Sequence, residues 1–269
     1  MTDKITFSFG KNWEHFLKTL TDEKISIAAS SIKNFMGVDH FQDKRVLDIG
    51  CGSGIFSYVM FQMRAKEIVS FDVDPFSVKC GEYMKQKAGN PSNWTVCHGS
   101  VLDKTFLSPL GTFDLVYSWG VLHHTGNMWQ AIENAAHLVN EGGFFYIALY
   151  NNIGGVLGSR FWLGVKKFYN KHPFFGKYVI EPGYIVLCFL LNFFRLGTYI
   201  KQIMTYKKKR GMSWRRDVTD WLGGYPYEYA NVEEVFTFMR SHFPDFQLVN
   251  IKSASGLANN WFLFQRKKI

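Results

Sequence analysis

The chain has little sulfur, and none of it is arranged to hold a metal or staple a small fold. Only Cys51, Cys80, Cys97 and Cys188 occur in 269 residues, with no CxxC pair. That spacing excludes the usual zinc ligand sets, so no metal site is expected. So few thiols also exclude a disulfide-dense scaffold and point to a reducing, cytoplasmic setting. The opening MTDKITFSFG lacks an apolar h-region, which predicts no signal peptide. Long apolar runs are missing too. The richest, Tyr184–Phe194 (YIVLCFLLNFF), is closed by Asn192 and Arg195. It falls short of the about 20 residues that span a bilayer. The expectation is a buried helix, with an interfacial helix as the other reading.

Acidic residues are scarce as well, 22 against 31 basic ones, for a net charge of +9. An excess of this sign suits an anionic partner such as nucleic acid, a membrane surface or an acidic metabolite, and does not choose among them. The runs Lys207–Arg210 and Arg266–Lys268 read as solvated faces. What is abundant is apolar: 47% of residues are hydrophobic and only 20% charged, which excludes disorder over most of the length. Aromatics reach 17%, with 26 phenylalanines. They predict an aromatic core, a pocket for a flat or greasy ligand being the sharper alternative.

Residues 1–40 read as an aromatic prelude, FSFGKNWEHFL, followed by a helix. Thr21-Asp22-Glu23 suits its start, Ile25, Ala28, Ala29, Ile32, Phe35 and Met36 have helical spacing, and Gly37 ends it. Over 41–150 the pattern becomes alternating strands and helices. Strands are expected at Val46–Ile49, Ile68–Phe71, Trp94–Cys97, Leu115–Tyr117 and Phe144–Leu149. Helices are expected at Ile55–Arg64, Pro75–Lys87 and Met128–Val139, the last two capped by Asp74 and Asn127. Such alternation predicts an α/β, doubly wound, mostly parallel sheet joined by right-handed crossovers. Residues 151–230 break the rhythm and read as a helical insertion after strand 5. Over 231–269 a helix at Val232–His242 and strands at Gln247–Ser253 and Asn260–Arg266 complete a seven-stranded sheet.

The strongest chemical signal is Asp48-Ile49-Gly50-Cys51-Gly52-Ser53-Gly54, an apolar strand running through glycines into a helix. Glycine serves where backbone turns tightly or approaches a ligand, and the following helix presents free N–H groups to the crevice. A dinucleotide site would need a glycine where Ile55 stands. A pyrophosphate also has no use for a carboxylate two residues before the first glycine, whereas an ammonium-bearing ligand does.

LDIGCGSG resembles motif I of the class I S-adenosylmethionine (SAM)-dependent methyltransferases. The resemblance implies that SAM is the cofactor, that Gly50, Cys51, Gly52 and Gly54 wrap its methionine part, and that Asp48 lies near its ammonium group. It extends to Phe71-Asp72-Val73-Asp74, where Asp72 takes the ribose hydroxyls with Val73 beside it and Asp74 caps the next helix. In the turn His98–Asp103, it implies that Ser100, Val101 and Asp103 share the adenine. The segment Phe113–Thr125, ending Val121-Leu122-His123-His124, resembles the family's FDxVxxxxVLHH stretch and places Ser118 and Trp119 at the methyl-donor end.

Methyl transfer to a hydroxyl needs a base, and histidine titrates near neutrality. His123 and His124 are therefore candidates, the alternative being that they only cap the loop after strand 4. In Trp214–Glu228, paired glycines among aromatics and acids look like a shaped loop. Asp220, Tyr225 and Glu228 are acceptor-pocket candidates there, with an aromatic plug as the alternative. Phe9, Lys11, Asn12 and Trp13 either close over SAM or staple the first helix. The expected activity is methylation of a small-molecule substrate, with oxygen as acceptor atom. Nucleic acid is not expected as a partner, because no RNA-binding module and no N/D-P-P-Y/F-type motif is present. An RNA methyltransferase, a lipid- or quinone-directed enzyme in transient contact with a membrane, and a non-catalytic SAM-binding protein are the alternatives. Nothing in the sequence sets the oligomeric state.

Overall fold

The computed structural model describes residues 13, 17, 20–210 and 214–268, with side chains left out at 207–210. Phe9, Lys11 and Asn12, expected in an N-terminal lid, lie outside the described residues.

The strands β1 (Arg45–Ile49), β2 (Glu67–Asp72), β3 (Trp94–His98), β4 (Phe113–Trp119), β5 (Val139–Tyr150), β6 (Phe246–Lys252) and β7 (Asn259–Arg266) form one sheet. Its order is β3-β2-β1-β4-β5-β7-β6. The first five strands run parallel, and β7 is antiparallel between β5 and β6. The order reverses between β1 and β4, so a crevice opens there at the carboxyl ends of the strands. Val46, Leu47 and Ile49 are buried, as are Leu115, Val116 and Tyr117. Helices cover both faces of these strands, which is why they read as continuous apolar runs with no alternation.

One layer holds α1 (Asp22–Met36), α2 (Ile55–Gln62) and α3 (Pro75–Lys87), which bury Ile32, Val59 and Met84 against Tyr117, Tyr146 and Leu263. Thr21 accepts from the Lys24 amide at the start of α1, and Gly37 ends it at φ 69°. The opposite layer holds α4 (Met128–Ala136), whose Met128, Ala131, Ile132 and Ala135 pack on Val116, Phe113 and Phe145. Truncating a core ring such as Phe113 to alanine costs on the order of 3–5 kcal/mol. Asn127, expected to cap α4, makes no side-chain capping bond. The Met128 amide donates instead to Glu228 Oε1 at 3.1 Å. A residue 100 positions away has taken over a role that sequence reading assigns locally.

The insertion carries α5 (Ser159–Lys171), a helical stretch Pro173–Leu191 that includes α6 (Glu181–Leu191), then α7 (Leu196–Arg210) and α8 (Trp214–Gly223). Tyr169, Val218 and Leu222 form its small core, with Trp162, Val165, Ile180, Tyr184, Ile185 and Trp221 around them. The Tyr169 hydroxyl donates to buried Glu181, which also accepts from Thr219. The expected buried helix at Tyr184–Phe194 is not found. Leu190 is 64% exposed, Leu191 75% and Phe194 99%. Only the face bearing Ile180, Tyr184 and Ile185 reaches the small core, and an all-round apolar helix has no second layer to cover it. Pro173–Leu191 is moreover long and apolar enough to cross a membrane. The helix α9 (Val232–His242) starts with a capping box between Asn231 and Glu234 and returns the chain to β6 and β7.

The fifth strand, expected at Phe144–Leu149, is longer and takes in Gly142 and Gly143: β5 begins at Val139 because Val139 pairs with Phe113 across an irregularity in the ladder. Helix α4 stops at Ala136, short of the expected Val139, for the same reason.

Candidate active site

The glycine turn between β1 and α2 has the geometry its sequence demands. Gly50, Gly52 and Gly54 all have positive φ, at 71°, 53° and 75°. At Gly50 a Cβ would sit 2.3 Å from Val121 Cγ1, so the loop after β4 closes directly on this turn. At Gly52 a Cβ would sit 3.0 Å from Trp13 Nε1. Trp13 is thereby placed against the turn, and it also packs on the layer of α1 and α2.

Asp48 is 2% exposed and accepts a hydrogen bond from the Ser57 hydroxyl. The Trp94 indole N–H donates to Ser70 Oγ at 2.9 Å, and Ser70 and Ser57 are 2.7 Å apart. An indole N–H only donates, and the Ser57 hydrogen goes to Asp48, so Ser70 donates to Ser57. This relay crosses the sheet and holds the carboxylate at the end of β1. Burial, with the charge of Asp72 adding to it, pushes Asp48 up to about 7. Asp72, at the end of β2, accepts from the Gly52 amide at 3.0 Å and the Asp74 amide at 2.9 Å. Burial raises its pKa as well. Asp74 accepts from the Phe76 amide as the cap of α3. Two acids thus flank a turn of amides and glycines, and their mutual repulsion suits a cationic ligand. SAM, with its ammonium and sulfonium, fits this donor set.

Further along the crevice, Val73 is 66% exposed beside Asp72. Ser100 Oγ accepts from the Leu102 amide, and Asp103 caps the turn Lys104–Leu107 through the Thr105 and Phe106 amides. Val101 is buried, and its carbonyl accepts from Asn134. Ser118 is buried and donates to the Ile49 carbonyl at 3.2 Å, tying β4 to β1 beside the glycines. Trp119 packs edge-on to Trp261, with ring centroids 5.7 Å apart. Cys51 is buried under the turn, and burial lifts its thiol well above the ordinary range, so it lies there as a neutral group.

The histidines occupy a helical turn, Leu122–His124, directly after β4. The Tyr150 amide donates to His123 Nδ1 at 3.3 Å, which puts the proton of the neutral ring on Nε2. That buried Nε2–H has no hydrogen-bond partner among the described residues. His124 Nδ1 donates to the Pro226 carbonyl at 2.5 Å, leaving the lone pair on Nε2. Burial pulls His123 well below its ordinary pKa and His124 down to about 4, so both rings are neutral at pH 7. Tyr150 is the hub, with ring centroids 4.1 Å from His123, 5.5 Å from His124, 5.2 Å from Tyr227 and 5.7 Å from Trp221. The Tyr227 hydroxyl is buried beside the Ser159 side chain. Glu228 joins this cluster, as its amide donates to the His123 carbonyl at 2.9 Å. Asp220 does not join it in the same way. It lies on α8, where its charge falls on Tyr169 in the small core of the insertion. Tyr225 is half-buried in the loop that follows.

Sequence reading missed Lys166. It is fully buried, donates to the Trp221 carbonyl, and lies 3.9 Å from the Trp221 ring centroid and 4.8 Å from that of Tyr227. Burial lowers its pKa to about 7. A signal was present: Trp162, Lys166 and Tyr169 share one face of α5 at spacings of four and three residues, and Tyr169 is core.

Residues 40–173 match a family described as a methyltransferase domain. Among solved structures, the fold resembles magnesium protoporphyrin IX methyltransferase from Synechocystis PCC 6803 with bound SAH, at TM-score 0.53 and 12% identity over 93% of this chain and 86% of that one. It also resembles a putative SAM-dependent methyltransferase from Methanococcus maripaludis, at TM-score 0.54 and 16% identity over 100% and 97% of the two chains. With the glycine turn and its two acids, these define a SAM-dependent methyltransferase fold and cofactor site. The chain belongs to the class I SAM-dependent methyltransferases, and SAM is its cofactor.

Curated relatives carry the name tRNA U34 carboxymethyltransferase. That of Shewanella pealeana is 39% identical over 101 residues, covering 38% of this chain and 30% of its own length. That of Actinobacillus succinogenes is 29% identical over 102 residues, 38% of this chain and 31% of its own length. The chain therefore spans under a third of the length of these relatives. Their name overturns the expectation that nucleic acid is not a partner. The absence of a separate RNA-binding module was a weak argument, because a basic surface on the catalytic domain itself can track a phosphate backbone.

Proposed function

We propose that this enzyme moves the methyl group of SAM onto a hydroxyl oxygen of a small acceptor, held between the carboxyl ends of β4 and β5 and the insertion above them. The reading rests on the cluster around Tyr150. There the buried His123 Nε2–H lacks a partner among the described residues, and an unpaired polar group in a low-dielectric site is costly unless a ligand meets it.

SAM supplies an electrophilic methyl group on its sulfonium. Asp72, held by the Gly52 and Asp74 amides, takes its nucleoside side, and Asp48, fixed by Ser57, lies toward its ammonium. The His123 Nε2–H donates to the acceptor oxygen and orients it. The His124 Nε2 lone pair receives the hydroxyl proton as the new C–O bond forms, and the imidazolium is held by the Pro226 carbonyl. The insertion, pinned through Glu228, excludes water, so that alignment of the reacting atoms supplies most of the acceleration. Incubation with methyl-labelled SAM and a panel of phenols and aliphatic alcohols tests this. The expected product is an O-methyl ether. Label appearing only on nitrogen or carbon acceptors removes the oxygen assignment.

A second reading is methylation or modification of tRNA, favoured by the name of the curated relatives and by the basic character of the insertion. Label transfer to bulk tRNA, with affinity falling steeply as salt rises, is its signature. A salt slope near zero removes it.

A further inference from the structure

The net positive charge of this protein resides in one segment. Residues 151–216 hold thirteen lysines and arginines and a single acid, Glu181. The rest of the chain holds eighteen basic and twenty-one acidic residues and is slightly negative. The single acid of the segment is turned inward, where it accepts from Tyr169 and Thr219. The same segment carries most of the large apolar side chains exposed among the described residues, including Phe174 at 68%, Leu190 at 64%, Leu191 at 75%, Phe194 at 99% and Met204 at 77%. Scattered exposed apolar residues are ordinary in a folded protein. A contiguous set on the consecutive elements Pro173–Leu191, Phe193–Arg195 and α7 is not.

From this combination we infer that the insertion is a docking face for an anionic lipid bilayer, which it enters to the depth of the interface without spanning it. Three occupants compete for such a face. A second copy of the chain would bury the apolar side chains but would bring two strongly basic segments together, which repel. A nucleic acid would meet the charge and leave Leu190, Leu191 and Phe194 in water. An anionic bilayer satisfies both, because aromatic and aliphatic side chains enter the headgroup–acyl boundary while lysine and arginine meet lipid phosphates. Spanning is excluded by how the helix is held. Glu181, Tyr184 and Ile185 are built into the small core with Tyr169, Val218 and Trp221, so the helix cannot leave the insertion without dismantling it. The docking face and the lid of the acceptor cluster are therefore parts of one helical unit: α5 carries Lys166 to the Tyr227 ring while its neighbours present the apolar face. This inference stands whichever acceptor the enzyme uses.

Flotation of the full-length protein with vesicles tests it. One set is phosphatidylcholine alone and the other an equimolar mixture with phosphatidylglycerol, each at low and high salt. The protein is expected to float with the anionic vesicles, less with the neutral ones, and less again at high salt. Substituting Leu190→Glu together with Phe194→Glu is expected to lower partitioning by at least about tenfold with SAM affinity unchanged. Should the double variant lose SAM affinity, Phe194→Ser at the most exposed position gives the same readout with a smaller perturbation. Failure of the wild type to float with anionic vesicles overturns the inference, as does equal flotation of the variants. A concentration-dependent dimer that the variants abolish, without flotation, assigns the face to a second copy. Binding of tRNA that the variants abolish, without flotation, assigns it to RNA.

Discussion

The amide of Glu228 donates to the carbonyl oxygen of His123 at 2.9 Å, and this bond fastens the end of the insertion to the turn that follows β4. The side chain of the same residue accepts from the Met128 amide and caps α4. One residue therefore links the histidines, the helix behind them and the segment above them. Glu228→Ala is expected to lower stability by about 1 kcal/mol through the lost cap, read as a lower melting temperature. Glu228→Gln keeps an acceptor oxygen and should melt near the wild-type value. A Gln variant that melts normally yet turns over slowly would give the carboxylate a part in the chemistry.

At the glycine turn, Gly50→Ala should be severe, because the new Cβ would sit 2.3 Å from Val121 at φ 71°. A loss of a few kcal/mol and of measurable SAM binding is expected, given about 1–2 kcal/mol for the left-handed conformation alone and a steric clash besides. Adding Val121→Ala should recover part of the loss and no more, since it relieves the clash and leaves the backbone strain. A full rescue in thermal melts would mean the backbone at Gly50 relaxes freely.

Asp72 should control cofactor affinity. Asp72→Ala is expected to weaken SAM binding by at least about tenfold in isothermal titration, on the order of 1.5–3 kcal/mol for a charge-assisted hydrogen bond. NAD should give no heat with either protein. Undiminished SAM affinity in the variant would place the nucleoside elsewhere.

His124 and His123 separate by role. His124→Ala should reduce kcat by roughly 100-fold or more while SAM affinity holds, as expected for a lost proton acceptor. His123→Ala should raise the acceptor KM as well, because the ring orients the substrate oxygen. If both variants turn over normally, the pair only caps its loop.

Lys166 sets a pH dependence of stability. Burial lowers its pKa from 10.5 to about 7 in the fold. Between those values the unfolded chain binds a proton that the folded chain does not, so stability rises with pH across the window, by at most about 1.4 kcal/mol per pH unit. Its contacts with the Trp221 and Tyr227 rings favour the charged form and reduce that slope. Lys166→Met should flatten the profile above pH 7 in denaturant titrations. A variant with an unchanged slope would mean that the amine stays charged throughout.

The parallel strands and the helices on their two faces were legible because each signal is local. Val46–Ile49 is an unbroken apolar run, Asp74-Pro75 starts α3, and Gly50, Gly52 and Gly54 stand where only glycine turns freely. Lys166, Tyr150 and Tyr227 were not legible as a group, since they are distant in sequence and meet only when the insertion folds over β5. The exposed face of Pro173–Leu191 was misread because an apolar helix looks the same whether or not a second layer covers it. Asn127 was expected to cap α4 by position, and Glu228 does so by arriving from the other end of the insertion.

By itself the sequence determined that this chain builds a SAM-binding sheet: periodicity, caps and positive-φ glycines act over a few residues and need no distant partner to be read. Only the tertiary structure decided what surrounds the histidines, which acid caps which helix, and which side of the apolar helix faces outward. Those outcomes depend on contacts between residues up to about a hundred positions apart, where burial and unmet hydrogen bonds, and not local propensity, set the energy.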